Sequence, residues 1–584
     1  MLRVKIVCTI GPASREPEIL RELMQAGMNV ARLNLSHGTH EYHAETIRRV
    51  RTLAMELGKP VAVLADLQGP KLRVGQMQEG GVPLETGQEV VLTTEAIIGK
   101  PGRIPIQNQD LPGMVKPGER ILLDDGLMEL RVTRVTEREI YAQVINGGLL
   151  KDRKGMNLPD SDLTIPALTK KDRKDVLFAL EQHVDWIALS FVRRAREVRA
   201  LRRIIDKHSP LDWCTPIIAK IEKPEAVRRI QEIVQAADGI MVARGDLGIE
   251  TSPEAVPMVQ KRIIALCNEA GKPVVTATQM LESMVHNPRP TRAEASDVAN
   301  AVLDGSDAIM LSGETAVGKY PVRAVQTMVK IAEEAERVRR LTNPEALDRN
   351  FETHTIADAV CHATVVTARD IKGAAVVAPT VSGSTARKLS RFRPSVPIVA
   401  VTPSPLVYRQ LALFWGVYPL MGQRMSTTDE VVEDAVQRTH QTGFVDQGDI
   451  VLVTGGVVGG LPGSTNLMTV RRIPRVLVSG QGIGRDRVFG QVLHPENLGE
   501  VPEHAVGSHD ILVLDRDHHA WVELVPHAAG LILKEGGLES YAVLVAIDQG
   551  IPAIFNVQGK WEELTTGRRV VLDAGAGNVY EWEQ

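Results

Sequence analysis

The sequence predicts an α/β protein built on a (β/α)8 barrel. Three observations predict it. Eight apolar, strand-like runs alternate with helical patterns through the first two-thirds of the 584 residues. The runs are mostly apolar, with Lys5 and Arg32 as charged exceptions. Polar residues close one run after another, and the carboxyl ends of strands are where such barrels place their chemistry.

The runs are Val4–Thr9, Val30–Leu33, Val61–Leu64, Trp186–Leu189, Ile217–Ala219, Ile240–Val242, Val274–Thr276 and Ala308–Leu311. Helical patterns separate them, among them Glu16–Gln25, His43–Met55, Lys170–Leu180 and Ala255–Glu269. The residues that close the runs are Arg32 and Asn34, Asp66, Ser190, Lys220 and Glu222, Asp246, Thr278, Ser312 and Glu314. They read as an active-site rim.

The stretch Ile217 to Glu250 is the most informative part of the rim. It reads strand, helix, strand, with the helix starting near Pro224 and carrying Val227, Ile230, Ile233 and Val234 on one face. Strand period two puts Lys220 and Glu222 on one side. A right-handed crossover makes the two strands parallel, which brings Asp246 to the same sheet edge. Two carboxylates and an ammonium at one edge suit a hard divalent cation with an anionic substrate, because Mg2+ takes a few carboxylates plus substrate oxygens. The lysine can neutralise a phosphate or a developing enolate. A solvated salt-bridge cluster is the plainer explanation, and position at strand ends weighs against it.

From Gly69 to about Pro166 the text changes to short alternating segments and turn residues: EVVLTTE, RILLDDG, LMELRVTRVTE and REIYAQVINGG. This predicts a small antiparallel β domain, a β-barrel lid, inserted after the third barrel strand. After the barrel, Asn343 to Phe351 reads as a linker. A second α/β pattern follows, with a helix around Ile356–Arg369 and strands at Ala374–Ala378, Ile398–Val401 and Ile450–Val453. Its first strand runs into Thr380, Ser382, Gly383, Ser384 and Thr385 and then a helix, a sequence suited to cradling a phosphate at a helix amino terminus or to ordinary capping. A second glycine-rich loop spans Gly455 to Asn466.

From about Pro474 a third pattern begins, with strands at Val476–Val478, Ile511–Leu514 and Ala553–Phe555, and a strand, Gly-Gly, helix reading over Leu531 to Asp548. The GQGIG at Gly480–Gly484 misplaces the third glycine of a dinucleotide fingerprint and is set aside. The resulting domain division is 1–68 with 167–340, 69–166, 341–473 and 474–584.

Basic and acidic residues nearly balance, 68 against 72, which points away from nucleic-acid and membrane partners. Of four scattered cysteines, Cys8, Cys214 and Cys267 lie in or beside apolar runs and are expected as buried free thiols. The amino terminus lacks a signal-peptide apolar core, and no run reaches membrane-spanning length, so a cytoplasmic location is expected.

VCTIGPAS near the amino terminus, ARLNLSHG at Ala31–Gly38, IIAKIEKPEA, MVARGDLGIE, TATQMLESM at Thr276–Met284 and MLSGETAVGKYP at Met310–Pro321 together resemble the pyruvate kinase family. The resemblance runs from residue 3 to about 473. The last segment is similar to the swivelling phosphohistidine domain of phosphoenolpyruvate-utilising enzymes, which implies a β/β/α-type fold there.

The resemblance implies phosphoryl transfer from phosphoenolpyruvate to ADP, giving pyruvate and ATP, with Mg2+ or Mn2+ on Glu222 and Asp246. It assigns catalysis to Lys220, Arg32 and Thr278, with Gly245, Asp246 and Ser312 completing the substrate site. It places Asn34, His37, Arg73 and Lys154 on the nucleotide. It also implies a homotetramer, and the hydroxyl-rich turn at Thr380–Thr385 favours a phosphorylated effector there, a sugar phosphate or AMP.

Two departures stand out. The family's monovalent-cation motif, Asp-Thr-Lys-Gly-Pro-Glu, is here Asp66-Leu67-Gln68-Gly69-Pro70-Lys71. Asn34, Ser36, Asp66 and Leu67 would hold any such ion, while Lys71 would substitute for K+, so K+ is not expected to be required. In the last segment, tyrosine (Tyr541) stands where the family has its phosphorylated histidine. A metal-dependent aldolase or lyase on the related barrel and a catalytically dead metabolite sensor are the alternatives. The first needs neither lid nor ADP, and the second should have lost Lys220, Glu222 or Asp246.

Overall fold

Eight parallel strands close into a barrel in the computed structural model: Lys5–Thr9, Met28–Asn34, Ala62–Asp66, Trp186–Leu189, Ile217–Ile221, Gly239–Ala243, Val274–Ala277 and Ala308–Leu311. They are numbered first to eighth below. The eighth pairs with the first, Lys5 opposite Ala308, which seals the ring. The structure describes residues 1–161, 165–209, 214–342, 355–457, 463–495 and 506–582.

The helices between the strands start where capping chemistry dictates. Thr169 and Asp172 form a capping box on Lys170–Glu181, and Thr291 and Glu294 form another on Arg292–Asp304, each contributing about 1 kcal/mol. The crossover after the fifth strand differs from the sequence reading. It is two short helices, Pro224–Arg228 and Ile230–Ala236, interrupted at Arg229. Ile230, Ile233 and Val234 are buried as expected, but Val227 precedes the break and is only partly covered.

The barrel floor repeats one device. Asn29 in the second strand and Asp185, Asp238 and Asp307, each just before the fourth, sixth and eighth, accept the backbone N–H of Ile6, Val63, Ile217 and Val274 in the first, third, fifth and seventh. A carboxylate taken this deep needs a cation. Arg409 reaches Asp185 at 2.8 Å and Arg393 reaches Asp307 at 3.0 Å, both from the following α/β domain, whereas Arg202 of the barrel serves Asp238.

The inserted segment forms a six-stranded sheet in the order Met156–Asn157, Arg120–Leu123, Met128–Val135, Glu139–Asn146, Glu89–Thr93, Arg103–Pro105, plus a two-stranded ribbon. It encloses its own core around Leu92, Ile104, Ile121, Leu130 and Ile140. All four segments read as strands are strands. The α/β domain has a five-stranded sheet in the order Val417–Met421, Ile398–Thr402, Ala375–Pro379, Ile450–Gly455, Leu467–Arg472. The linker expected at 343–351 lies outside the described residues, as does part of the loop 455–466.

By contacts the chain divides into two units, 1–438 with 452–469, and 439–451 with 470–584. The carboxy-terminal strands close into a seven-stranded barrel with the helix Tyr541–Asp548 after the strand Gly530–Glu535. The GQGIG lies within the strand Val476–Ile483, so it is not a strand-to-helix turn. Its Gly482 is required for close packing, since a Cβ there would stand 1.9 Å from the Ala574 carbonyl oxygen.

Cys8, Cys267 and Cys361 are buried thiols. Cys214 is exposed, contrary to expectation, because it precedes the fifth strand instead of entering it. No described helix is long and apolar enough to cross a membrane.

Candidate active site

The carboxyl ends of the second, third and fifth strands meet in a network of ion pairs. Asp66, the last residue of the third strand and 1% exposed, takes Arg32 Nε on Oδ2 at 2.7 Å and Lys220 Nζ on Oδ1 at 3.3 Å. Lys220 also reaches Glu222 Oε1 at 3.0 Å and Ser190 Oγ at 2.8 Å. Arg32 donates a further bond to Thr9 Oγ1 at 2.8 Å. The register that pairs Asn34 with Asp66 and Ala188 with Asp66 brings these ends level.

Electrostatics favour the charged forms of Lys220 and Asp66. Burial alone draws the Lys220 ammonium down, but Asp66 and Glu222 outweigh it and leave its pKa above the ordinary value. Burial alone raises the Asp66 carboxyl, and Lys220 and Arg32 reverse that and hold it below its usual range. Glu222 is pushed up, first by burial and then by the charge of Asp246, against the pull of Lys220 and the Phe191 N–H. Two nearby carboxylates, one destabilised by the other, fit a divalent cation. No described cluster of three or more His, Cys, Asp or Glu forms a closed cage, so substrate or water would complete the coordination.

Asp246 belongs to the first turn of a short helix, Arg244–Glu250, that starts directly from the sixth strand. The sequence reading placed it at the strand's carboxyl end without a helix. In the same turn the Gly245 N–H donates to Thr278 Oγ1 at 2.8 Å, tying the sixth strand's exit to the seventh's. Thr278 and Gln279 adopt left-handed backbone conformations, φ 67 and 54, as does Phe191, φ 55. Such residues persist where their surroundings over-determine them. The Arg244 guanidinium, clamped on the Thr278 carbonyl at 2.8 Å and on Asp297, supplies that at Thr278. Glu222 supplies it at Phe191 by accepting its N–H at 2.6 Å. Ser312 donates its N–H to Glu314, and its hydroxyl is buried with no partner among the described residues.

The residues associated with the nucleotide and the monovalent ion divide. Burial lowers the His37 pKa, and Arg73, Lys71, Arg32 and Lys171 lower it further, so these cations surround His37. Arg73 bonds the Arg153 carbonyl at 3.0 Å, while Lys154 is paired with Asp124 at 2.8 Å. Asn34 Oδ1 accepts the Ser36 N–H, and the Leu67 carbonyl accepts Ser190 Oγ at 2.7 Å. Among the expected ion ligands, Asn34 Oδ1, the Leu67 carbonyl and both Asp66 oxygens thus have protein partners.

Gly69, where the lid departs, has φ 68, and a Cβ there would meet Phe191 at 2.8 Å. Its N–H is held by Asp172. Between the inserted domain and the barrel lies a narrow cleft lined by Lys71, Leu72, Asn157, Phe191, Asp246 and Glu250, among others.

In the α/β domain, Gly383 (φ 77) caps the helix Ser384–Arg391. Thr380 Oγ1 accepts the Gly383 N–H, and the Thr385 hydroxyl bonds that of Thr465 at 2.8 Å, which brings the two loops together. Ser190, Phe191, Asn157, Lys223 and Glu250 have structural roles at the site that no motif had assigned. Only Ser190, at a strand end, carried a signal.

These features define a barrel enzyme whose strand ends present two fixed cations and a carboxylate pair beneath a lid. The pyruvate kinase barrel domain matches residues 1–325, the pyruvate kinase alpha/beta domain 358–471, and the mobile domain of PEP-utilising enzymes 506–577. A pyruvate kinase of Geobacillus stearothermophilus is 45% identical over 99% of this chain and 98% of its own length. One from Bacillus licheniformis is 46% identical over 100% and 99%, and one from Sporosarcina psychrophila 44% identical over 99% of each. The chain belongs to the pyruvate kinase family.

Proposed function

We infer that the strand-end network carries the transfer of a phosphoryl group from phosphoenolpyruvate to ADP, yielding pyruvate and ATP. The observation that supports the residue assignment is Lys220, held between Asp66 and Glu222 with Arg32 on the far oxygen of Asp66. Two cations fixed by one buried carboxylate are preorganised for a transferring phosphoryl group, where positioning and charge neutralisation supply most of the catalysis.

In this reading Arg32 grips the phosphate with its planar fork, a geometry lysine lacks. A β-phosphate oxygen of ADP attacks phosphorus as the bond to the enol oxygen breaks. Lys220 stabilises first the group in flight and then the enolate left behind. Thr278, its hydroxyl set by the Gly245 N–H, belongs to the route by which carbon takes its proton. The Gly245 backbone, with Thr278, would hold the substrate carboxylate, and Ser312 completes the substrate site. Glu222 and Asp246 would hold Mg2+ or Mn2+, which when bound supplies Lewis-acid charge to the substrate oxygens. Asn34, His37, Arg73 and Lys154 serve ADP. Lys154 would exchange Asp124 for a phosphate as the lid shuts.

Lys71 supplies the charge that K+ would otherwise bring, and the prior engagement of Asp66 and Leu67 supports this. The loop Thr380–Thr385 takes the phosphate of a sugar phosphate or AMP, with the Ser382 and Ser384 hydroxyls as donors. A homotetramer is the assembly this reading adopts. A coupled assay with phosphoenolpyruvate and ADP, with and without Mg2+, tests the activity. ATP formation that needs both ADP and the metal supports it. Metal-dependent cleavage or condensation without ADP supports the aldolase or lyase instead, and no turnover supports the sensor.

A further inference from the structure

Glu250 stands at the last position of the helix whose first turn carries Asp246. It is 2% exposed. Its Oε1 accepts two bonds, from Lys223 Nζ at 2.5 Å and from Asn157 Nδ2 at 2.7 Å. Lys223 immediately follows Glu222 and caps the next helix. Asn157 is the last residue of the lid strand Met156–Asn157. One carboxylate oxygen therefore joins the Asp246 helix, the Glu222 segment and the lid.

The lid also runs close by: the turn Asp124–Gly126 passes near enough to Ile249, the residue beside Glu250, that a Cβ added at Gly126 would stand 3.8 Å from it. Asp124 of that turn holds Lys154. Glu250 Oε2 is buried and meets no donor among the described residues, although the carboxylate lines the cleft between lid and barrel. A buried carboxylate oxygen left without a bond is costly to keep. That cost is hard to account for if Glu250 only fills space.

We propose that Glu250 is a positioning residue that holds Glu222 and Asp246 in register and couples both to the lid through Asn157. This rests on reading Glu222 and Asp246 as the divalent-metal pair. The two arms act separately. The Lys223 arm sets the spacing of the two carboxylates in the resting enzyme, and the Asn157 arm sets where the lid stops when it closes over ADP.

The test is Mn2+ titration of the substrate-free enzyme by electron paramagnetic resonance, with steady-state kinetics and circular dichroism on the same variants. Partners behind metal ligands change affinity by roughly 10–100-fold when removed, so Glu250→Gln should bind Mn2+ at least about tenfold more weakly while keeping its fold. Asn157→Ala should bind Mn2+ like the wild type. Its kcat with ADP should fall roughly tenfold, a misplaced lid, with KM for phosphoenolpyruvate little changed. If Glu250→Gln does not fold, Lys223→Met, which severs the same arm, carries the same expectation. Mn2+ affinity within twofold of wild type in a folded Glu250→Gln or Lys223→Met overturns the proposal, as does wild-type turnover in Asn157→Ala. Glu222→Gln and Asp246→Asn run alongside. If both bind Mn2+ normally, the metal pair itself is wrong and the proposal goes with it. If both lose the ion while Glu250→Gln keeps it, only the positioning role is lost.

Discussion

Lys220 Nζ lies 3.3 Å from Asp66 Oδ1, and that carboxylate also carries Arg32 on its other oxygen. Asp66, which the family motif associates with a monovalent ion, is thus the shared counter-ion of both cations proposed for catalysis. Asp66→Asn should leave two buried like charges with one partner fewer. Removing one member of a buried ion-pair network costs about 3–5 kcal/mol, so the urea midpoint should drop clearly. Turnover should fall about 100-fold, since the cations lose their fixed positions. Denaturant unfolding and kcat on one preparation check both, and kcat within threefold of wild type would remove Asp66 from the site.

Lys71 is predicted to make the enzyme independent of K+. Its charge and that of Arg73 act on His37, and Asn34 Oδ1, the Leu67 carbonyl and the Asp66 carboxylate already have protein partners. An ammonium in place of a glutamate repels a second monovalent cation at short range. Turnover in K+- and NH4+-free buffer, with tetramethylammonium as counter-ion, should change little when K+ is added. Lys71→Glu should create a K+ requirement. A rise of orders of magnitude with K+ in the wild type would contradict the assignment.

How much of this was legible follows from what each residue answers to. The barrel strands showed because strands covered on both faces must be apolar along their length, and Lys220 and Glu222 showed because strand period two is local. The partners across the site were invisible. Asn157 meets Glu250 across 93 positions, and nothing in the text around Met156–Asn157 marks a side chain that reaches out of its own sheet. The left-handed backbone at Phe191 and Thr278 goes against residue preference and is imposed by Glu222 and Arg244 from elsewhere in the chain. Asp246 was located correctly, but its short helix carries too few residues to show a period.

The α/β domain should respond to a phosphorylated metabolite through Ser382 and Ser384. Thr380 and Thr385 spend their hydroxyl contacts within and between the loops. Ser382→Ala combined with Ser384→Asp should abolish activation by ribose 5-phosphate or AMP and leave the unactivated rate intact. Activation kinetics across phosphorylated metabolites decide it, and unchanged activation in the double variant would refute the site.

The carboxy-terminal barrel should carry no phosphoryl group. Tyr541 opens its helix, and the N–H groups of Tyr541 and Ala542 donate to the Asp517 carboxylate. A carboxylate already fills the place where a helix amino terminus would receive a phosphate. His518, His519 and His527 lie outside the motif position. Incubation with phosphoenolpyruvate followed by mass spectrometry under alkaline conditions should find no phosphohistidine in residues 474–584, and finding one would overturn this.

The most direct test of the account is the turnover of Lys220→Met. The substitution keeps the length of the side chain and removes the charge that faces Asp66 and Glu222. Losing one preorganised group typically lowers the rate roughly 10²–10³-fold, and Lys220 is assigned two developing charges in sequence. The account predicts a folded variant that still binds Mn2+ and turns over at least about 100-fold more slowly. A variant retaining more than about a tenth of wild-type kcat, a barrier raised by only ~1.4 kcal/mol, would contradict it.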